Sequence, residues 1–486
     1  MRFLGLDIGT TRMKCGVYDE RGILQYADSV DYGERQRGKE SYIDIDAILS
    51  SALALLKKAY ESSPFDSVAV SSLGESFVLL DKEDKVLFYP MLYTDPRGKD
   101  EAEAQMKNAE RIFQIAGVYP QSMYSAYKLA WIKNNSPEIY AQASKALLVN
   151  EYISYKLTGI RAIDYSQAAR TGAFSIREKV FSDELCDLFG IDKKLFSPAV
   201  ASGTLIGEVK GEISLDWGAE KPVFVVAGGH DQVCATLGSG VTENGACSDG
   251  MGTVECLTAV YETPSNEADM GACGYPNVPF LDGLYCTYLL NYSCGSLTRW
   301  WLSSCFSEKE IKTGVAFEKM EKDFTENPTG ILVLPYFAGA ATPYQDVEAK
   351  GALLNLSLTD TPSRIYQGVL EGLCFEMKLN LEVAGKFGVR AKKLVATGGG
   401  SASEKWLQMK ADILGIPVYP LVEKEAGICG AAMLGAATLL KKEMKEVAKI
   451  FVKTDKPKTP RKEMQKLYLQ EYRKYKKLYK TIKKFY

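Results

Sequence analysis

Three short stretches combine the residue types that phosphate chemistry needs. The first is Asp7-Ile8-Gly9-Thr10-Thr11. A glycine in a hairpin lets backbone N–H groups approach an anion closely, and the hydroxyls of Thr10 and Thr11 add donors for phosphate oxygens. Asp7, at the end of the preceding strand, could hold Mg²⁺ directly or through water, because that ion takes one or two carboxylates plus phosphates. A plain Asp-Gly turn is the simpler alternative. The pattern recurs in part at Met251-Gly252-Thr253, and Val17-Tyr18 recurs at Val260-Tyr261, each pair 243 residues apart in a chain of 486. Two matches at one offset suggest a duplicated domain, with the Gly-Thr turns as two jaws of a phosphate clamp.

The second stretch is Gly228-Gly229-His230-Asp231-Gln232, which follows an apolar run and precedes a helical pattern. A helix N-terminus attracts anions, so Asp231 is expected to stay a carboxylate able to accept a proton. The alternative is an N-cap aspartate. His230, the only histidine, is a second candidate base, ranked below Asp231 because phosphoryl transfer to alcohols can use an aspartate aimed at the hydroxyl. The third stretch, Ala396-Thr397-Gly398-Gly399-Gly400-Ser401, lets a flat or charged ligand press on the backbone, or is simply a strand-to-helix turn.

These stretches need a scaffold larger than one core. A chain of 486 residues argues for two domains, cut on the half-length offset into residues 1–243 and 244–486. Apolar and turn patterns place strands at 2–6, 13–18 and 23–30, a helix at 44–60 and short buried strands at 67–70 and 222–227. They also place helices at 127–134 and 144–156. The second half repeats the style, with a helix at 363–387, a strand at 393–396 and a helix at 403–414, as an α/β fold should. Ala426 to Leu440 reads as a tightly packed buried helix, short of the ~18–20 residues that span a bilayer. The Lys/Tyr-rich tail from 441 reads as a solvated amphipathic helix.

Composition narrows the partners. A net charge of −2 leaves no basic excess for nucleic acid. No secretory signal opens the chain, which points to a cytoplasmic protein without a membrane partner. Seven of the eleven cysteines lie between 234 and 305. None forms a CxxC pair, so reduced buried thiols are expected rather than zinc ligands.

Together the motifs resemble the FGGY carbohydrate kinases of the actin-like ATPase superfamily. Met123 to Asn135 fits the family's first signature at each constrained position. Gly351, Leu353, Leu370 and Glu371 fit the second, whereas Asn355, Arg364 and Gly368 depart from it. Lys156-Leu157-Thr158-Gly159, Pro335 to Gly339 and Thr342-Pro343 also look like the family. The resemblance implies two duplicated actin-like (ribonuclease H-like) α/β domains facing across a cleft. It implies sugar binding and the base in the first domain, and ATP with Mg²⁺ against the second.

By that resemblance Asp231 matches the base and Asp7 the metal-associated aspartate. Thr10, Thr11 and Lys14 match the first phosphate motif, and Gly252 and Thr253 the second. Gly295 and Arg299 match a phosphate-side segment, and Gly399, Gly400 and Ser403 the adenosine motif. Substrate contacts of the family fall on Gly74, Glu75, Asp95, Arg97 and Gln232. Gly74 is expected to open space and Glu75 to accept from two hydroxyls. The implied activity is ATP-dependent phosphorylation of a hydroxyl of a sugar or polyol, such as a ketopentose or an aldonate. A homodimer is compatible with it. The alternatives are a catalytically weak sugar-binding regulator and an actin-like ATPase of another class.

Overall fold

The computed structural model describes residues 1–486 apart from 33, 34, 38, 39 and 424, with 35–37 described in backbone alone. The first half opens with β1 (Arg2–Ile8), β2 (Arg12–Asp19) and β3 (Leu24–Asp31), followed by α1 (Ile45–Ser62) and β4 (Ser67–Ser72). Next come α2 (Ser125–Asn135), α3 (Val149–Thr158), α4 (Tyr165–Ala169), β5 (Leu205–Glu208), β6 (Phe224–His230) and α5 (Asp231–Gly238). The second half holds β7 (Ala246–Met251), β8 (Glu255–Tyr261), β9 (Val278–Pro279), β10 (Tyr285–Asn291), α6 (Gly295–Ser303) and α7 (Pro362–Ala384). It continues with β11 (Lys393–Thr397), α8 (Glu404–Leu414), β12 (Val418–Pro420) and α9 (Ala426–Leu440). Three helices close the chain: α10 (Met444–Phe451), α11 (Lys462–Tyr475) and α12 (Leu478–Ile482).

Each half is built on one six-stranded sheet, in the orders β5-β6-β4-β1-β2-β3 and β9-β10-β8-β7-β11-β12. In the first, β1, β2 and β3 form an antiparallel meander and β4 and β6 add parallel beside β1. The second repeats this, with β7, β8 and β10 antiparallel and β11 and β12 parallel. The chain therefore contains the same sheet twice, in agreement with the half-length offset of its Gly-Thr turns. The central strands read as apolar runs because helices cover both faces; β4 is buried at every position.

Helix α9 joins the halves. It follows the second sheet in sequence yet packs on β1 and β4 of the first sheet and against α5. A Cβ at Gly430 would run into the Cys234 carbonyl, and one at Gly238 into the Ala426 carbonyl. These glycines allow the α5 and α9 backbones to touch, which explains the Gly/Ala composition of α9. Among the described residues no helix is long and apolar enough to cross a membrane.

Two sequence expectations change. Residues 145–148 form a strand paired with Phe77–Leu80, and the helix begins only at Val149. Ala-Leu-Leu suits either state, and the exposed hydrogen-bonding edge of that neighbouring strand decides it. The tail is three helices, and α11 and α12 are more than a solvated surface. Tyr468, Tyr472, Tyr475 and Tyr479 are buried, and the rings of Tyr472 and Tyr475 sit 6.0 and 5.5 Å from that of Phe375 on α7. The lysines between them keep the outer face wet. The eleven cysteines are unpaired and most are buried.

Candidate active site

The first half gathers its ionisable groups where β1, β4 and β6 end side by side. Asp7 sits beside Ser71 of β4 and opposite Lys14 of β2. Ser71 Oγ donates to Asp7 Oδ1 at 2.7 Å. Burial pushes the Asp7 carboxyl up, Ser71 and Lys14 oppose this, and Glu425 adds to it. Lys14 is paired with Glu425 at the start of α9, Nζ to Oε2 2.8 Å. In the hairpin after β1 the Gly9 N–H donates to the Arg12 carbonyl at 3.0 Å, and the Tyr32 hydroxyl donates to the Gly9 carbonyl. Thr10 is half-buried and Thr11 exposed at the tip.

Strand β6 runs through both glycines to His230, and Asp231 is the first residue of α5. Asp231 is thus not the N-cap; that position is His230. One oxygen of Asp231, Oδ1, accepts the Gln232 N–H at 2.5 Å and lies 3.3 Å from His230 Nε2. A third of the side chain remains exposed to the cleft. The helix terminus does not hold this carboxyl low, as the sequence suggests. Burial, then the charges of Asp7 and Glu75, push it up to about 7, against the Gln232 N–H and Arg170. Gln232 itself is half-buried beside it.

Gly74 and Glu75 follow β4. The space above Gly74 is filled, not open: a Cβ there would lie 2.9 Å from His230 Cδ2 and 3.1 Å from Arg170 Cγ. Glu75 has φ near +61°, and its carbonyl accepts from Ser125 Oγ at 2.6 Å. Its carboxylate is engaged by Arg170, Nε to Oε1 2.5 Å. Burial pushes the Glu75 carboxyl up, and Arg170 opposes it. The Arg170 guanidinium lies between the rings of Tyr124 and Tyr288, 5.1 and 5.8 Å from their centres. Asp95 and Arg97 are tied to one another, with Nε–Oδ1 and Nη2–Oδ2 both 2.8 Å. Arg97 also donates to the Tyr42 hydroxyl at 2.7 Å and Asp95 accepts the Ser41 N–H at 3.2 Å. Those bonds hold the pair to the rim strand at 40–42 rather than to Glu75 or Asp231.

The second half presents a cavity of about 960 Å³. Gly252, Thr253, Gly295, Arg299, Gly399, Gly400 and Ser403 all line it, with Trp300, Tyr366 and Trp406 among the larger side chains. Its walls are the β7–β8 hairpin, the start of α6, the turn at 399–402 and the start of α8. The hairpin is stitched to α6: Gly295 N–H donates to the Gly252 carbonyl at 2.9 Å and Ser296 N–H to that of Thr253 at 3.1 Å. A side chain at Gly295 would sit 2.6 Å from the Gly252 oxygen. Ser403 caps α8 by accepting the Trp406 N–H at 3.0 Å, and Arg299 is paired with Glu308. Behind the hairpin, buried Lys410 of α8 is bonded to Asp249 and Glu255 on either side of the turn.

The family's N-terminal domain matches residues 2–238 and its C-terminal domain residues 250–439, both described as FGGY carbohydrate kinase domains. The chain belongs to the FGGY family of carbohydrate kinases. This kinase is 26% identical over 446 residues to the xylulose kinase of Staphylococcus xylosus, covering 89% of this chain and 90% of that one. It is 23% identical to the gluconokinase of Bacillus subtilis, with 89% and 86% covered. A xyloylose kinase from Brucella ovis superposes with a TM-score of 0.91 at 24% identity over the whole of both chains. A glycerol kinase from Plasmodium falciparum, solved with ADP, gives 0.86 at 20% identity over 98% of each.

Carbohydrate kinases take their phosphate from ATP, which the cavity of this kinase suits in size. The residues also fit a Mg²⁺ ion. The Asp7 charge raises the Asp231 carboxyl, a repulsion that a divalent cation at Asp7 relieves. Among the described residues no group of three or more acidic, histidine or cysteine side chains could hold a metal. An ion at Asp7 would take its other ligands from phosphate and water. The sequence reading did not single out Arg170, Tyr124, Tyr288 or Lys410. Arg170 stands 95 residues from Glu75, and no local spacing signals such a partner.

Proposed function

We propose that this FGGY kinase transfers the terminal phosphate of ATP to a hydroxyl of an uncharged sugar or polyol, with Asp231 as the base. The observation that carries the reading is Asp231 itself. It is a partly exposed carboxylate between the Glu75–Arg170 pair and the Asp7 hairpin, held near about 7 by its surroundings. A base of that pKa is about half ionised at neutral pH and basic enough to take a proton as the new bond forms.

The acceptor lies against Gln232, Glu75 and Arg170, its hydroxyl directed at Asp231. Nucleotide fills the cavity of the second half, with its terminal phosphate between Thr10-Thr11 and Gly252-Thr253. As the acceptor oxygen bonds to phosphorus and the bond to the leaving diphosphate oxygen breaks, Asp231 receives the hydroxyl proton. Mg²⁺ at Asp7, when bound, would offset the charge of the phosphate oxygens. The excess of negative charge in the acceptor region favours a neutral acceptor over an aldonate. Asp7, Glu75 and Asp231 stand against Arg170 and Lys128, and Lys14 is already paired with Glu425. The division into residues 1–243 and 244–486 accompanies this reading, with α9 returning to the first sheet.

An ADP-release assay with MgATP across ketopentoses, ketohexoses, pentitols, tetritols, glycerol and aldonates tests it, run beside Asp231→Ala. Turnover on a neutral acceptor that the substitution abolishes supports the assignment. Sugar-independent ATP hydrolysis would support an ATPase instead, and full activity in Asp231→Ala would remove the base.

A further inference from the structure

His230 is buried at the exact junction of the two halves' chemistry, and each of its ring nitrogens has one partner. Nε2 lies 3.3 Å from Asp231 Oδ1, and Nδ1 lies 3.1 Å from the hydroxyl of Tyr288. Tyr288 belongs to β10 of the second half and is itself only 5% exposed. One imidazole therefore links the base to a side chain from across the cleft. The ring cannot easily turn away. Its backbone N–H donates to Ser166 Oγ at 2.9 Å, and its Cδ2 edge occupies the space that Gly74 leaves.

The protonation pattern follows from the neighbours. The charged groups around the ring are Asp231 on its own segment, Arg170 after α4 and Glu75 behind Arg170. Burial and the Arg170 charge hold the imidazole neutral. A neutral imidazole has one N–H. An ionised carboxylate only accepts, so the N–H that faces Asp231 is on Nε2. Nδ1 is then bare and accepts from the Tyr288 hydroxyl.

We propose that Tyr288 and His230 are positioning residues for the base: the Tyr288 hydroxyl fixes His230 as its Nε2–H tautomer, which anchors Asp231 Oδ1 and leaves Oδ2 for the acceptor hydroxyl. The inference rests on Asp231 as the base. Oδ1 then accepts the Gln232 N–H and has the His230 Nε2 edge 3.3 Å away. The aim of the base depends on the second half being seated against the first, which links arrival of the nucleotide-bearing half to readiness of the base.

The chain has a single histidine, so imidazole nitrogen NMR reports His230 alone. At pH about 8 the wild type is expected to show a protonated Nε2 and a pyridine-like Nδ1. Tyr288→Phe keeps the ring and removes the donor. It should mix the tautomers and lower kcat about tenfold, the worth of one such hydrogen bond, with KM for ATP unchanged. His230→Gln, whose amide nitrogen reaches the Nε2 position, should retain most of kcat. His230→Asn, which stops short of Asp231, should lose about as much as His230→Leu. A wild-type Nδ1–H tautomer overturns the proposal. So does Tyr288→Phe with unaltered tautomer and kcat while Asp231→Asn is inactive. An active Asp231→Asn instead overturns the base assignment on which it rests.

Discussion

The two faces of the cleft are built from the same sheet order and present opposite kinds of surface. On the first sheet, side chains converge: Asp7, Glu75, Arg170, His230 and Asp231 are packed around one another, and each is held by another's charge or hydrogen bond. On the second, Gly252, Gly295, Gly399 and Gly400 share the cavity wall with the rings of Trp300, Tyr366 and Trp406. Side chains can be exchanged one at a time to suit a different acceptor. A position where a Cβ would strike backbone, as at Gly295, is harder to exchange.

Substitution can break this contrast most sharply at the base. Asp231→Ala should lower kcat by ~10²–10⁴, the usual worth of a positioned base, with KM for ATP little changed in an ADP-release assay. Next comes the buried pair. Arg170→Met leaves Glu75 buried and unpaired, which costs ~3–5 kcal/mol and should lower Tm by several degrees. Adding Glu75→Gln should recover part of that loss, and no recovery would show that Arg170 matters through packing alone. On the nucleotide side, Gly295→Val forces a side chain onto the Gly252 carbonyl. At ~1–3 kcal/mol of strain it should raise KM for ATP tenfold or more and spare KM for the acceptor. Equal effects on both would erase the distinction between the two faces.

The pH dependence is a finer test. With Asp231 near about 7, kcat/KM should fall tenfold per pH unit below that point, because only the ionised base accepts a proton. Stability runs the other way. The folded state holds a proton on Asp231 that the unfolded chain releases near its ordinary value of 3.8, so stability declines as pH rises from there to about 7. Asp231→Asn should therefore unfold at a higher temperature than wild type at pH above 7, and the gap should shrink on acidification. The smallest effect belongs to the Lys14–Glu425 pair, whose side chains are 37% and 43% exposed. Glu425→Gln should change stability by only ~0–1 kcal/mol.

Much of this molecule is legible in one dimension because its determinants are local. The β1–β2–β3 meander, α1, α7 and α8 follow from periodicity and turn residues, and the Gly-Thr turns at 9–10 and 252–253 reveal the duplication. Glycines at 295 and 400 are recognisable because close packing against their neighbours leaves a residue-type mark in the sequence. Lys145 to Leu148 shows the limit: a short apolar run suits helix or strand, and a distant strand edge decides.

What the sequence by itself determined is the fold class and the family, since each depends on residue type and short-range order. Only the tertiary structure decided how those groups are tuned. Arg170 meets Glu75 from 95 residues away, and Tyr288 reaches His230 from the other sheet. Asp231 rises to about 7 through burial and the charges of Asp7 and Glu75. Burial and charge interactions depend on distance in space, and the chain acquires those distances only when its two halves pack against one another.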